Sequence, residues 1–148
     1  MCDWYQYRLH QKMSLSSQVF DLCNGIYHQL GAGHSEVVYQ TALVLELYNL
    51  GATSVESEKH VPVFFTDTRG AQHTIGNERI DILARFPNDS AVLLIELKAV
   101  ANMNRASVEH QVGKYVRSLR TLGIVPTCQL AINFPQQADK QAVDFISI

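Results

Sequence analysis

The sequence has little of what marks a disulfide-bonded or zinc-binding protein. It has three cysteines in 148 residues, and they are widely separated without any C-x-x-C pair. An odd number at such spacing argues against a disulfide framework, a structural zinc site and a cysteine-dependent hydrolase. The six histidines show no ligand spacing either. We therefore expect reduced thiols, with Cys23 and Cys128 in the core.

Long apolar runs and an excess of positive charge are also missing. The stretches "AVLLI" and "TALVLELYNL" are far shorter than the roughly 20 residues of a membrane-spanning helix. The N-terminus is too polar for a signal peptide. We therefore expect a soluble, intracellular protein with no membrane partner. The formal net charge is −2, so any contact with nucleic acid needs a local basic patch.

What remains is the composition of one ordinary globular domain. The chain is 47% hydrophobic and 18% charged, and it has no internal repeat, low-complexity segment or proline-rich linker. We predict an N-terminal appendage over residues 1–13 and a single domain over residues 14–148.

Apolar periodicity predicts three helices. The first begins at Ser14 or Ser16 and ends at Gly31. The third runs from about Asn104 to Leu122. The second is capped by Ser35 and reaches about Leu50, and its expected apolar stripe consists of Val38, Ala42, Leu45 and either Tyr48 or Leu50.

The strands follow a different period. The segments "VPVFFTD" and "HTIGNERIDILARF" flank the turn "DTRG" and predict an antiparallel hairpin. "AVLLIELKAV" and "CQLAINF" predict a third and a fourth strand, and "AVDFISI" a fifth or an edge. A helix connects the third strand to the fourth, so these two are expected to be parallel. The fold class is therefore α/β (α+β), a mixed sheet of four to five strands flanked by helices in the order ααβββαβ(β).

Two opposite charges interrupt the apolar run "LLIELKAV". Strand alternation places Glu96 and Lys98 on one face of the third strand, and Arg79, Asp81 and Leu83 on one face of the preceding strand. If the strands are neighbours, Asp81 and Glu96 converge beside Lys98. Paired carboxylates suit a hard cation such as Mg²⁺ or Mn²⁺. From spacing alone, a structural ion pair between Lys98 and either carboxylate explains the pattern equally well.

Five short motifs occur in a fixed order: "GHSEVVYQTAL", "ERIDILA", "IELKAV", "QVGKY" and "LAINF". The first contains Gly33, Glu36 and Tyr39 as G-x-x-E-x-x-Y. Over roughly residues 15–134 the chain thus resembles the GxxExxY family of the PD-(D/E)XK nuclease superfamily. The resemblance implies a restriction-endonuclease-like core and a metal-dependent nuclease that hydrolyses phosphodiester bonds, with DNA as the expected substrate.

The resemblance also implies roles for individual residues. Asp81 would be the aspartate of the "PD" motif, although Ile80 replaces the proline. Glu96 and Lys98 would be the (D/E)-x-K pair, so that Asp81 and Glu96 hold Mg²⁺ or Mn²⁺ while Lys98 orients or activates the attacking water. Glu36 would match an additional acidic metal ligand.

Two residues of the third helix match a Q-x-x-x-Y element that lies beside the active site in related nucleases. These are Gln111, the better candidate for catalysis, and Tyr115, which is also in phase with the apolar stripe and could be a core residue. Glu36 is likewise open to a second interpretation, because an acidic residue is favoured at a helix N-terminus.

Basic residues concentrate on the third helix, at Arg105, Lys114, Arg117 and Arg120. Lys114 and Arg117, together with Tyr115 and Arg79, are the candidate substrate contacts. A solvated helix face explains the same pattern, and Arg79 could pair with Asp81 instead of a phosphate.

A second function is a nuclease-fold module that no longer cleaves and binds nucleic acid or a protein partner. In either case the acidic net charge weighs against tight nonspecific DNA binding by one copy of the chain. A homodimer or a partner protein would supply the missing basic surface.

Overall fold

The computed structural model describes residues 13–148, so all but the last residue of the expected N-terminal appendage lies outside the described part. The elements are α1 (Leu15–Leu30), α2 (Glu36–Asn49), β1 (Ser54–Thr66), β2 (Gln72–Arg85), a 3₁₀ helix (Pro87–Asp89), β3 (Val92–Lys98), α3 (Arg105–Thr121), β4 (Cys128–Asn133) and β5 (Asp144–Ser147). The predicted order of helices and strands is confirmed. No described helix is long and apolar enough to cross a membrane.

The five strands form one mixed sheet in the order β1-β2-β3-β4-β5. β3 and β4 are parallel, as predicted from the helical connection between them, and the other neighbours are antiparallel. The sheet has an apolar core on each side. Leu93, Ile95 and Leu97 pack with α1 and α2 on one face, and Leu94 packs with α3 on the other. β3 is therefore held from both sides, which suits a strand that positions functional groups.

α1 follows its sequence signals closely. The Ser14 hydroxyl accepts a hydrogen bond from the backbone N–H of Ser17 and caps the helix, and Gly31 ends it with a φ of +71°. Cys23 is fully buried in the core as predicted. Cys128 is only partly buried, because it lies at the start of β4, where its thiol is 3.2 Å from the Ser16 hydroxyl.

The predicted apolar stripe of α2 is wrong. Val38, Leu45 and Tyr48 are exposed, whereas the face that packs on the sheet consists of Tyr39, Leu43 and Leu47. α2 has apolar side chains on both sides, so helical periodicity alone does not identify the face that the sheet covers. Ala42 and Leu50 are partly buried at the edge of the core.

The β1–β2 hairpin is longer than predicted, because β1 begins at Ser54 rather than near Val61. β2 pairs with β3 only from Ile82 to Arg85. The outer part of the hairpin, residues 59–80, therefore extends beyond β3 as a two-stranded arm. Its pairing register shifts between Val63 and Phe64.

The two faces of α2 can be separated by mutation. Leu43→Ala removes a fully buried side chain and is expected to lower the free energy of unfolding by about 2–5 kcal/mol. Leu45→Ala, on the exposed face, is the matched control and should change it by less than about 1 kcal/mol. Urea denaturation measures both. A larger loss for Leu45→Ala than for Leu43→Ala would mean that α2 packs in the orientation that periodicity suggested.

Candidate active site

Two acidic side chains are buried together where β2 stops pairing with β3. Asp81 is 4% exposed and Glu96 2% exposed. The carboxylate oxygen Oδ2 of Asp81 accepts a 2.7 Å hydrogen bond from the backbone N–H of Leu97. Asp81 thus satisfies a backbone donor of β3 just past the last β2–β3 pair, Ile82 with Ile95, and this bond fixes its carboxylate beside Glu96.

The predicted alternation along β2 is broken at Asp81. Ile80 and Leu83 belong to the same buried cluster on the α3 side, whereas Ile82 packs on the opposite side. On β1, the opposite position is Glu58, which has a φ of +51°, and no backbone pair joins it to Asp81 although both neighbouring pairs form. Arg79 consequently does not share a face with Asp81 and Leu83 as predicted. The strand irregularity re-aims the side chains around the aspartate.

Lys98 and two residues of α3 complete the cluster. The ammonium Nζ of Lys98 is 3.1 Å from Oε1 of Glu96 and donates a 3.3 Å hydrogen bond to Oε1 of Gln111. The amide Nε2 of Gln111 donates in turn to the hydroxyl of Tyr115, at 2.7 Å. A hydrogen-bonded chain therefore joins β3 to α3. Tyr115 is a buried core residue that also takes part in the polar cluster.

The electrostatics of the cluster disfavour two full negative charges. Burial, and then the neighbouring Asp81 carboxylate, raise the pKa of Glu96 to about 7 in spite of Lys98. Burial also raises the pKa of Asp81, although its bond from the Leu97 N–H opposes the shift. Burial and the two nearby carboxylates raise the pKa of the Tyr115 hydroxyl. One lysine thus offers too little positive charge for two buried carboxylates.

One acceptor in this cluster has no partner. The oxygen Oε2 of Glu96 is buried and is the only buried side-chain nitrogen or oxygen of the described residues without a hydrogen bond. Leaving a buried acceptor unpaired is costly. Two adjacent carboxylates with a free buried oxygen match the donor set of a hard divalent cation, so the residues present fit the metal that the sequence suggested.

Glu36 lies on the first turn of α2. The other residues of the G-x-x-E-x-x-Y motif, Gly33 and Tyr39, form hydrogen bonds that fix the loop before this helix. The hydroxyl of Tyr39 donates to the carbonyl of Gly31 at 2.7 Å, and the Tyr39 ring stacks on Phe134 with centroids 4.4 Å apart. Gly33 has a φ of +101°, and its N–H donates to Oε1 of Gln136 at 2.8 Å. The G-x-x-E-x-x-Y motif therefore fixes the turn that presents Glu36.

Glu36 is near the carboxylates without joining them. Burial and the charge of Asp81 raise its pKa, while Lys98 and Arg79 act in the opposite direction. Within residues 13–148, however, no three His, Cys, Asp or Glu side chains lie close enough together to form a ready metal-binding group. Asp81 and Glu96 are thus the assembled pair, and Glu36, on the first turn of α2, is near enough for the charge of Asp81 to act on it.

The predicted substrate contacts lie in different places. Arg79 is 3.6 Å from Oε1 of Glu58, and its charge also acts on Glu36 and Asp81. Lys114 is 3.4 Å from Oε1 of Glu78, and Arg117 lines a cavity beside it. Of the other basic residues of α3, Arg105 pairs with Glu109 at 2.7 Å, and Arg120 lies outside the cavity lining.

The sequence analysis did not identify two acidic residues that lie near the site. Glu78 pairs with Lys114, and Glu58 pairs with Arg79. In the sequence Glu58 is an ordinary strand charge, and Glu78, although it is the first residue of "ERIDILA", was given no role. Only the pairing of the β1–β2 arm brings them to α3 and to the site.

The chain matches a known protein family over most of its described residues. A family model described as the PD-(D/E)XK nuclease superfamily matches residues 13–145. A search of curated proteins found no match. Among solved structures, the crystal structure of SSO0001 is similar with a TM-score of 0.46 and 13% sequence identity, over 97% of this chain and 72% of that chain.

The raised pKa of Glu96 predicts a specific pH dependence of stability in the absence of divalent ions. Its pKa is about 7 in the folded protein against a usual 4.5, so its contribution to stability is fully present below pH 4.5 and is lost as the pH rises through 7. The loss is up to about 3 kcal/mol. Urea denaturation at pH 4.5 and pH 8 should show this loss in the wild type and not in Glu96→Gln. If the free energy of unfolding changed equally between pH 4.5 and pH 8 in the wild type and in Glu96→Gln, the raised pKa of Glu96 would be contradicted.

Proposed function

Because the chain belongs to the PD-(D/E)XK nuclease superfamily, we propose that it is a divalent-metal-dependent nuclease of the GxxExxY type that hydrolyses phosphodiester bonds in DNA. The observation that supports this most strongly is the pair of buried carboxylates, Asp81 and Glu96, next to Lys98. A purely structural ion pair needs only one carboxylate for one lysine. The second buried carboxylate, Asp81, forms no ion pair with any residue in the part of the chain that the structure describes.

Asp81 and Glu96 would hold the metal ion, with Mg²⁺ or Mn²⁺ as the expected species. Oε2 of Glu96 is the unpaired oxygen available to it. When bound, such an ion would polarise the phosphodiester and stabilise the negative charge that develops during its hydrolysis. Glu36 would add a third carboxylate from α2, since its pKa already responds to Asp81.

Lys98 would act on the attacking water. Its side chain is 31% exposed, so it reaches from the buried carboxylates to the solvent from which the water and the substrate come. There it can hold the water by a hydrogen bond and offset the charge that develops on the phosphate. Gln111 would position Lys98, because its amide oxygen accepts from Nζ and its amide nitrogen is tied to Tyr115.

Substrate phosphates would be bound by the basic residues around the cluster. Lys114 and Arg117 lie on α3 beyond Gln111, and Arg79 lies on β2. Tyr115 would contribute to substrate binding through its hydroxyl, which is the last group of the hydrogen-bonded chain from Lys98 through Gln111. The net charge of −2 favours a homodimer or a partner protein that adds basic surface for DNA.

Metal binding is expected to stabilise the fold. Mn²⁺ should raise the melting temperature of the wild type, because an ion that binds only the folded state stabilises it. Asp81→Asn should abolish most of this rise, whereas Asp89→Asn, on an exposed turn, should leave it intact. Differential scanning fluorimetry with and without Mn²⁺ measures the shift. The same shift in wild type and Asp81→Asn would rule out this metal site.

Cleavage separates the nuclease from a module that only binds. With Mn²⁺ or Mg²⁺, the wild type should nick supercoiled plasmid, and Lys98→Ala should reduce the rate by about 100-fold or more, consistent with the loss of a group that assists proton transfer and charge stabilisation. Gel electrophoresis of the plasmid over time gives the rate. If the wild type binds Mn²⁺ and DNA but does not cut, the chain is a binding module.

A further inference from the structure

A cavity of about 240 Å³ lies between the β1–β2 arm and α3. Its walls include Val63 and Phe64 from β1, Glu78 from β2, and Lys114, Arg117 and Ser118 from α3. It therefore combines an apolar, aromatic wall with a basic wall. Lys114 and Arg117 are proposed above as phosphate contacts, but no role has yet been given to the cavity itself, which we call the arm pocket.

The apolar wall of the arm pocket comes from two consecutive residues of β1, Val63 and Phe64. The pairing register of the arm shifts beside them, because Val63 is opposite Gly76 whereas Phe64 is opposite Thr74. The extra residue of this bulge is Ile75 on β2. The pocket therefore lies at a β-bulge, a feature that increases the local twist of the two strands.

The basic wall carries a net positive charge. Lys114 and Arg117 are three residues apart on α3 and so lie on the same side of the helix. Lys114 is 3.4 Å from Oε1 of Glu78. Arg117 is exposed and makes no ion pair with any residue in the range 13–148. The pocket thus presents two cations and one carboxylate, and the charge that remains unbalanced belongs to Arg117.

The arm pocket adjoins the candidate active site. Lys114 follows Gln111 by three residues on α3, and Ser118 follows Tyr115 by three, a rise of about 4.5 Å along the helix in each case. On β2, Glu78 precedes Asp81 by three residues. A nucleic-acid strand whose scissile phosphate lies at Asp81 and Glu96 can therefore continue into the pocket.

We propose that the arm pocket binds the nucleotide next to the scissile bond in a single-stranded segment of the substrate. Arg117 and Lys114 contact its phosphate, and its base packs against Phe64 and Val63. This inference rests on the proposed function, because it takes the scissile phosphate to lie at Asp81 and Glu96. The choice of a single strand follows from the aromatic wall, since base faces are free to stack on a protein only where they are not stacked in a duplex.

Glu78 has a defined effect in this arrangement. Its carboxylate holds Lys114 at the pocket wall but also repels an incoming phosphate. Glu78→Gln leaves a hydrogen-bonding group for Lys114 and removes the repulsion. It should therefore tighten the binding of single-stranded DNA severalfold, whereas a purely structural salt bridge would give no gain in affinity.

The decisive experiment compares two arginines of the same helix. In an Asp81→Asn background, which prevents cleavage, fluorescence anisotropy measures binding of a labelled single-stranded oligonucleotide over a range of salt concentrations. Arg117→Gln should weaken binding severalfold and reduce the slope of log K against log salt by about 0.7, the value for one lost phosphate contact on a single strand. Arg120→Gln, with the same change of charge outside the pocket, should leave both unchanged.

A second pair of variants tests the aromatic wall. Phe64→Leu keeps an apolar side chain but removes the ring, and it should weaken single-strand binding by about fivefold or more. Phe65→Leu is the control, because Phe65 is exposed on the arm and does not line the pocket. The same oligonucleotide annealed to its complement should not distinguish Phe64→Leu from Phe65→Leu. Melting temperatures confirm that each variant is folded.

The outcomes separate this inference from the proposed nuclease activity. Equal effects of Arg117→Gln and Arg120→Gln, equal effects of the two phenylalanine variants on the single strand, or no single-strand binding would refute the arm pocket even if the wild type cleaves DNA. If Arg117 and Phe64 prove specific while the wild type neither binds Mn²⁺ nor cleaves, the pocket stands as a single-strand-binding site. In that case the nuclease proposal fails.

Discussion

Two buried carboxylates at the end of the β2–β3 pairing impose the main constraint on this structure. Among residues 13–148, Lys98 is the only cation that forms an ion pair with either Asp81 or Glu96, and burying unbalanced charge is expensive. The apolar packing on both faces of β3 stabilises the fold and offsets the free-energy cost of the buried charge. The arrangement is therefore stable enough to form, but it keeps an unsatisfied acceptor that a divalent cation would complete.

The surrounding elements each fix one part of the site. β3 lies between β2 and β4 and places Glu96 and Lys98 on the same face, while the bond from the Leu97 N–H fixes Asp81. α3 brings Gln111 to Lys98. Tyr39 anchors the loop before α2, and the helix begins at Glu36, on which the charge of Asp81 acts. A rigid scaffold of this kind is what positioned catalytic groups require.

The features that the sequence predicted are those that depend on local pattern. Alternation in β3 placed Glu96 with Lys98, and the crossover through α3 made β3 parallel to β4. The features that could not be predicted from the sequence depend on pairing between segments that are distant along the chain. Arg79 was assigned to the face of Asp81 because regular alternation was assumed along the whole of β2, but β2 is irregular at Asp81. The packed face of α2 was likewise predicted wrongly, because both sides of the helix are apolar.

A crystal structure of the protein soaked in Mn²⁺ would test the metal site most directly. The anomalous signal should show one ion bound to carboxylate oxygens of both Asp81 and Glu96, with Oε2 of Glu96 among its ligands. Lys98 should then turn from Glu96 towards the open side of the site. Occupancy elsewhere, or an empty site with Lys98 still paired to Glu96 at saturating Mn²⁺, would contradict the account and leave the cluster as a structural ion pair.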